Sequence, residues 1–259
     1  MDILPVPSRT HLVLIPSYNA GPLGIQTVQE ARRFWNPVWI VVDGSTDGTA
    51  EAFKALGDAD PGLRVMVLSQ RGGKGRALRW GMERALAEGF THALTMDSDG
   101  QHPAARIPDF MASSMQHPRS LLLGYPVFDA SAPGLRVRGR RISNFWANLE
   151  TLWAGIGDSL FGFRVYPIQP LLQIMPRRLF MQGFDFDPEA AVRLAWAGIP
   201  ILNQAAEVRY LSPARGGISH FRYGRDNTLL TFMHIRLMLE FLLFRWPWVA
   251  WLNWQKRPT

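Results

Sequence analysis

From His11 to Gly124 the chain alternates short, almost wholly apolar runs with longer stretches of helical spacing. The apolar runs are His11–Pro16, Val38–Val42, Leu63–Leu68, His92–Met96 and Leu121–Gly124. Helical spacing fills Gly24–Phe34, Thr49–Leu56, Gly75–Glu88 and Ile107–Gln116 between them. Strands this short and this apolar are buried on both faces, and helices returning between them make βαβ units. The first half is therefore expected to be α/β, with a mostly parallel sheet flanked by helices.

Such sheets bind ligands beyond the carboxyl ends of their strands. Polar clusters stand at three of those ends: Ser17-Tyr18-Asn19, Asp43-Gly44-Ser45 and Asp97-Ser98-Asp99. A structural sheet needs turn residues there, but it does not need acids at two of the three. Asp97 and Asp99, two residues apart, present oxygen ligands of the kind hard divalent cations share with phosphates. An Asp-x-Asp alone is more often a loop or helix cap, but its place after an apolar strand, with Gln101 and His102 following, favours the metal reading. Asp43 can accept hydrogen bonds from a base or ribose, or can simply close an Asx turn. Arg71-Gly72-Gly73-Lys74-Gly75-Arg76 lacks the spacing of an NTPase phosphate loop, yet a Gly-rich basic turn at a helix start can approach a diphosphate.

The second half is less regular. It reads as helices over Arg141–Ala154 and Asp187–Ala197, a short strand over Phe161–Tyr166, and a long apolar helix over Thr228–Phe244 leading into a Trp-rich tail. Arg136, Arg138, Arg140 and Arg141 precede Ser143 and suit an acceptor phosphate, or are an exposed basic helix start. Asp185, Asp187 and Glu189 are candidate general bases or helix N-terminal acids.

The charge is uneven. Residues 1–132 carry 12 Lys+Arg against 13 Asp+Glu, and residues 133–259 carry 16 against 8, so the excess of +7 belongs to the second half. A basic surface meets nucleic acid, anionic lipid or a phosphorylated substrate. The absence of cysteine rules out disulfides and thiolate metal sites. Met1–Arg9 shows no export signal, and Phe232–Trp254 is interrupted as a membrane span by Arg236, Glu240, Arg245 and Pro247. Its four Trp residues in nine fit an interfacial anchor, or a helix packed on the domain or on a second subunit in a homodimer.

Four motifs in order carry a resemblance: Ile15-Pro16-Ser17-Tyr18-Asn19-Ala20, Val41-Val42-Asp43-Gly44-Ser45-Thr46-Asp47-Gly48-Thr49, Gly73-Lys74-Gly75-Arg76-Ala77-Leu78 and Met96-Asp97-Ser98-Asp99-Gly100-Gln101-His102-Pro103. Together they resemble the family 2 glycosyltransferases, and most closely their dolichyl- and polyprenyl-phosphate sugar transferase branch. The likeness covers roughly residues 10–225. It implies a GT-A (Rossmann-like) fold, a UDP- or GDP-sugar donor, inversion at the anomeric carbon and a divalent cation, Mg2+ or Mn2+. By that resemblance Pro16, Tyr18, Asn19, Asp43, Gly73, Lys74, Asp97 and Ser98 line the nucleotide-sugar. Asp97, Asp99 and Gln101 hold the metal. Arg138, Arg140, Arg141 and Ser143 are acceptor candidates on the residue reading above, and by the resemblance Arg164 of the Asp158–Arg164 segment faces either the acceptor or the diphosphate. The loop Arg215–Arg222 resembles one that closes near the diphosphate. Many relatives carry a second acid where Val42 stands, which leaves the base preference open.

The expected organisation is a transferase domain over 1–225, with its nucleotide half about 10–130 and its acceptor half about 131–225, followed by an amphipathic segment over 226–259. The expected activity is sugar transfer to a lipid-linked acceptor, a polyprenyl phosphate or glycolipid. The place is the cytoplasmic face of a bacterial inner membrane, peripherally bound, or else the soluble cytoplasm. The alternatives are a silent membrane-associated scaffold and a transferase to a non-lipid hydroxyl. A nucleotidyltransferase lacks its Gly-rich triphosphate loop at Ser17–Gly24, and a nucleic-acid binder lacks a recognisable motif.

Overall fold

The computed structural model describes residues 5–128, 134–175, 180–208 and 223–255. The strands are β1 (His11–Ser17), β2 (Val38–Asp43), β3 (Leu63–Leu68), β4 (His92–Thr95), β5 (Leu121–Val127), β6 (Arg164–Pro167) and β7 (Ile201–Glu207). The α-helices are α1 (Gly21–Phe34), α2 (Thr49–Ala59), α3 (Lys74–Ala87), α4 (Ile107–Gln116), α5 (Gly134–Leu149), α6 (Ile168–Ile174), α7 (Phe186–Trp196), α8 (Tyr223–Glu240) and α9 (Trp246–Gln255). The strands form one sheet in the order β3-β2-β1-β4-β6-β5-β7, and only β6 runs antiparallel to its neighbours.

The β1 run is buried at every position because the strand is covered on both faces. Leu12 and Leu14 join the core under α3 and α7, while Val13 and Ile15 join the core under α1 and α4. This is the period-two alternation of a strand shared between two apolar layers. The chain steps from β1 to β2 and β3 on one side and returns with β4 on the other. The carboxyl ends of β1, β2 and β4 therefore meet at a topological switch point.

The second half departs from the sequence expectation in several places, and the strand expected over 161–166 begins only at Arg164. Strand β7 and helix α6 were not anticipated. The segment 201–207 (ILNQAAE) has little β-branching, and it is a strand because it pairs residue for residue with β5. The helix expected over 141–154 starts at Gly134 and stops at Leu149, because Leu152 and Trp153 take positive φ and turn the chain back. The C-terminal helix continues past Phe244. A wide helical turn at Phe241–Arg245 joins α8 to α9 without a break, and Pro247 follows it directly, where the widened turn accommodates a residue that has no N–H to donate.

Gly224–Gln255 is, among the described residues, one helical run long and apolar enough to cross a membrane by length and composition. It nevertheless belongs to the same core as the sheet. Leu230, Met233, Leu237, Phe241 and Val249 are buried in the cluster that holds Leu12 and Leu14. Two buried acids of the preceding chain take partners from α8. Glu189 receives Arg236, and Glu150 accepts from His234 Nδ1 at 2.9 Å. Arg193 adds a bidentate pair to Glu240, at 3.3 and 2.8 Å.

Candidate active site

At the switch point one ammonium ion organises the acids. Lys74 is the first residue of α3, delivered there by the turn Gly72-Gly73. That turn is held from below by Asp43, the last residue of β2. Gly72 N–H donates to its Oδ1 at 2.8 Å and Gly73 N–H to its Oδ2 at 2.6 Å. Gly73 has φ +94°, and a Cβ there would collide with the carbonyl of Gln182. The position therefore accepts only glycine without moving the 180–183 loop. Lys74 Nζ then lies 2.7 Å from Asp97 Oδ1 and 2.6 Å from Asp187 Oδ2. Asp97 follows β4, and Asp187 opens α7, 113 residues further along the chain than Lys74. Gly162 leaves the room for this, since a side chain there would run into both Lys74 Nζ and Asp97.

The electrostatics follow from that geometry. Burial works against a charged Lys74, but Asp187 and Asp97 outweigh it and hold the ammonium above its ordinary range. Burial alone would raise Asp97; Lys74 and then His102 reverse this and hold it below the usual carboxylate range. Among the described residues Asp99 forms no ion pair of its own, and Lys74 counts for less there than the Gln101 N–H. Burial, then the charge of Asp97, push it up to about 7, against which the Gln101 N–H at 3.1 Å is a small offset. His102 is pushed down to about 4 by burial, so it is neutral at pH 7. Its Nδ1 accepts from the Asp97 N–H at 2.9 Å, and the tautomer is therefore Nε2–H, with Nε2 3.7 Å from Asp97 Oδ2.

The other residues named from sequence fall into two groups. Pro16 is buried at the end of β1, with Tyr18 and Asn19 half-exposed beyond it. The Arg71 guanidinium lies over the Tyr18 ring, 4.0 Å from its centroid. Asn19 N–H donates to Ser45 Oγ at 3.0 Å, and Asn19 Oδ1 accepts from Thr46 N–H at 2.8 Å, which ties the first two polar clusters together. Ser98 and Gln101 sit half-buried in the turn that carries Asp97 and Asp99.

The second group is occupied elsewhere. Arg164 is fully buried. Its guanidinium donates to the carbonyls of Phe161, Asp158 and Asp187 and to the Tyr166 hydroxyl. Arg140 pairs with Asp158 at 2.8 Å, and Ser143 is buried between Ser159 and His234. Asp185 accepts from the N–H groups of Met181 and Gly183, both at 2.8 Å, and shapes the turn before α7. Glu189 is fully buried between Arg193 and Arg236. Of the arginine cluster, Arg138 and Arg141 are exposed. The Arg136 side chain and the Arg215–Arg222 loop lie outside the described residues. Among the described residues no group of three or more His, Cys, Asp or Glu stands at metal-binding spacing. A cleft of about 660 Å³ lies at the opposite edge of the sheet, lined by Thr91, His92, Pro167 and Pro200 and by no acid.

A family profile described as glycosyl transferase family 2 matches residues 12–173, which include every strand of the switch point. The chain belongs to glycosyl transferase family 2. It is 28% identical over 204 residues to the polyprenol monophosphomannose synthase of Mycolicibacterium smegmatis, covering 74% of this chain and 73% of that one. It is 25% identical over 214 residues to a dolichyl-phosphate beta-glucosyltransferase of Dictyostelium discoideum, covering 74% and 64%. Crystal structures of Staphylococcus aureus TarS 1–349 share the fold. The complex with UDP-GlcNAc superposes with a TM-score of 0.57 at 16% identity, over 89% of this chain and 66% of that one. The chain thus spans just under two thirds of the amoebal enzyme and of that TarS chain. It is a glycosyltransferase of the GT-A type, and the mostly parallel sheet and long C-terminal helix stand as the sequence led us to expect.

Proposed function

We propose that the chain is an inverting, divalent-metal-dependent transferase that moves a sugar from a UDP- or GDP-linked donor to a polyprenyl phosphate. Its place is peripheral, on the cytoplasmic face of the membrane. The observation that carries this is the Lys74 ammonium held between Asp97 and Asp187 at the switch point, with Asp99 beside it. The nucleoside is assigned to the surface beyond β1 and β2, by Tyr18, Asn19 and the Asp43-held turn. That puts the diphosphate at the start of α3, where the helix dipole and Lys74 favour negative charge.

The donor set suits Mg2+ or Mn2+. Asp97 and Asp99 offer only oxygen, and the upward push on Asp99 marks a place short of positive charge. Bound there, the cation would neutralise the leaving nucleoside diphosphate. Lys74 does the same from the protein side and stays charged throughout. Asp187 keeps that ammonium in place and is committed to that pair, its Oδ2 2.6 Å from Lys74 Nζ.

This last point favours a phosphate over a hydroxyl acceptor. Asp185, Asp187 and Glu189 are each committed to a turn or a cation, which leaves none of the three as an unpaired general base. An acceptor phosphate is already ionised at neutral pH and needs none. Its oxygen attacks the anomeric carbon opposite the diphosphate. The new carbon–oxygen bond forms as the bond to the donor breaks, and the nucleoside diphosphate leaves with its electron pair. Incubation with labelled UDP- and GDP-sugars, Mn2+ and polyprenyl phosphate should move label into a lipid-extractable sugar phosphate. Label that reaches only a hydroxyl glycolipid, and never the polyprenyl phosphate, would overturn the acceptor assignment.

Two further outcomes are expected. Arg138→Ala with Arg141→Ala should raise the acceptor KM about tenfold, since two exposed phosphate forks are lost, with donor affinity little changed. A matching fall in donor affinity would place these arginines on the wrong substrate. The second outcome concerns pH. Asp99 is raised in the folded chain above its unfolded value, so the folded state holds the proton longer. Without metal, stability contributed by this group is present at low pH and is lost as pH rises towards about 7. Because cation and proton compete for Asp99, Mn2+ affinity should fall up to about tenfold per pH unit below that value. Titrations at about pH 6 and about pH 8 check this, and equal affinity at both would contradict it.

A further inference from the structure

The exposed apolar side chains are concentrated on one part of the molecule. Along α8 and the turn after it, Leu229, Phe232, Ile235, Leu239, Leu242 and Trp246 are exposed at spacings of three or four residues. That is one helix face, opposite the face carrying Leu230, Met233, Leu237 and Phe241 into the core. On the neighbouring helix α5, Ile142 and Phe145 are 63% and 54% exposed, and the Phe145 ring contacts those of Trp146 and Trp153. The two helices are joined beneath by Ser143, His234 and Glu150, and Asn253 of α9 reaches the carbonyls of Thr151 and Leu152. A soluble monomer rarely exposes so large an apolar surface without a partner.

The charges indicate which partner. Helix α5 contains no acid. In Tyr223–Gln255 the acids are Asp226, which is buried, and Glu240, which is paired with Arg193 and Arg245. Arg138 and Arg141 stand one turn before Ile142 and Phe145, and Arg225 two turns before Phe232, all exposed. Among the described residues the surface is therefore apolar with a basic margin and no free carboxylate, and the tail adds Trp246, Trp251 and Trp254, residues that favour the headgroup region.

We infer that the outer faces of α5 and α8–α9 form a single docking surface for an anionic lipid bilayer, and that the helices lie along the membrane. The ion pairs of Glu189 with Arg236 and of Arg193 with Glu240 keep the opposite side of α8 on the domain, which a spanning helix could not maintain. The inference builds on the peripheral reading above, but its test needs no sugar transfer.

The test is co-sedimentation of the full chain with vesicles. Vesicles of phosphatidylcholine and phosphatidylglycerol in equal parts should bind it. Pure phosphatidylcholine should bind it more weakly, high salt should weaken the first, and alkaline carbonate should release it. Phe232→Glu with Leu242→Glu, and separately Ile142→Glu with Phe145→Glu, should each lower partitioning about tenfold or more. All four residues are exposed, so thermal melts should stay close to those of the parent, and melts report any variant that fails to fold. Retained binding in the α5 pair would overturn the two-helix surface. No binding of the parent to anionic vesicles, or resistance to carbonate, would overturn the docking mode. A dimer in light scattering that these substitutions split, with vesicle binding unchanged, would assign the surface to a second copy. Nucleotide binding measured on the same variants tests the transferase reading separately.

Discussion

Replacing Asp97 with alanine is expected to lower sugar transfer by about three orders of magnitude while leaving the chain folded. Asp97 anchors Lys74 from one side and supplies one of the two oxygen donors beside it. Losing one preorganised electrostatic contact at the charge that develops in the transition state typically costs two to three orders of magnitude in rate. Here the cation ligand goes with it. The fold survives because Lys74 keeps Asp187 at 2.6 Å, and because Asp97 is half-exposed, its side chain at 34%. Without the Asp97 charge, Asp99 also falls back towards the ordinary carboxylate range. Steady-state rates with a circular dichroism melt check both halves. Transfer within tenfold of the parent would remove Asp97 from the chemistry.

Ending the chain after residue 225 is expected to prevent folding, although the matched family profile ends well before it, at residue 173. The deletion takes Arg236 from buried Glu189, which keeps only Arg193, takes the His234 hydrogen-bond partner from buried Glu150, and removes Leu230, Met233, Leu237, Phe241 and Val249 from the main core. Breaking a buried ion pair costs about 3–5 kcal/mol, and each apolar side chain withdrawn costs about 1.5–3 kcal/mol. A domain holds only about 5–15 kcal/mol in total. The milder test is Arg236→Met, which should lower stability by several kcal/mol in urea, with Glu189→Gln in the same chain recovering part of the loss. A truncated chain that melts cooperatively near the parent temperature would make residues 226–259 a separable tail.

Much of the sheet is legible in the sequence because β1 to β5 are short apolar runs bounded by polar turns, so their burial is written residue by residue. The polar clusters at Ser17, Asp43 and Asp97 are legible for the same reason, since each ends a strand. What the sequence hides is partnership across distance. Nothing near Lys74 signals Asp187, because the contact depends on how α7 is set against α3. Arg164 and Glu189 are conspicuous as charges, and only three-dimensional packing reveals that each is spent inside the protein. Strand β7 is invisible because its pairing with β5, not its composition, makes it a strand. The Arg71–Tyr18 stack had a weak signal, a basic Gly-rich turn, but no sequence rule places that turn over that ring. Helix α8 carries two apolar stripes, and a linear reading cannot say which one the core takes.

The most direct test of the central claim, that the Asp97–Lys74–Asp187 cluster with Asp99 holds a nucleoside diphosphate-sugar together with a divalent cation, is donor binding by thermal shift. UDP- and GDP-sugars should each be tried with and without Mn2+ on the parent and on Asp97→Ala and Asp99→Ala, because a ligand that binds the folded state raises its melting temperature by mass action. The account predicts that at least one donor stabilises the parent, that Mn2+ enlarges the shift, and that both substitutions abolish the metal-dependent part. Equal metal-dependent shifts in the parent and both variants would contradict it.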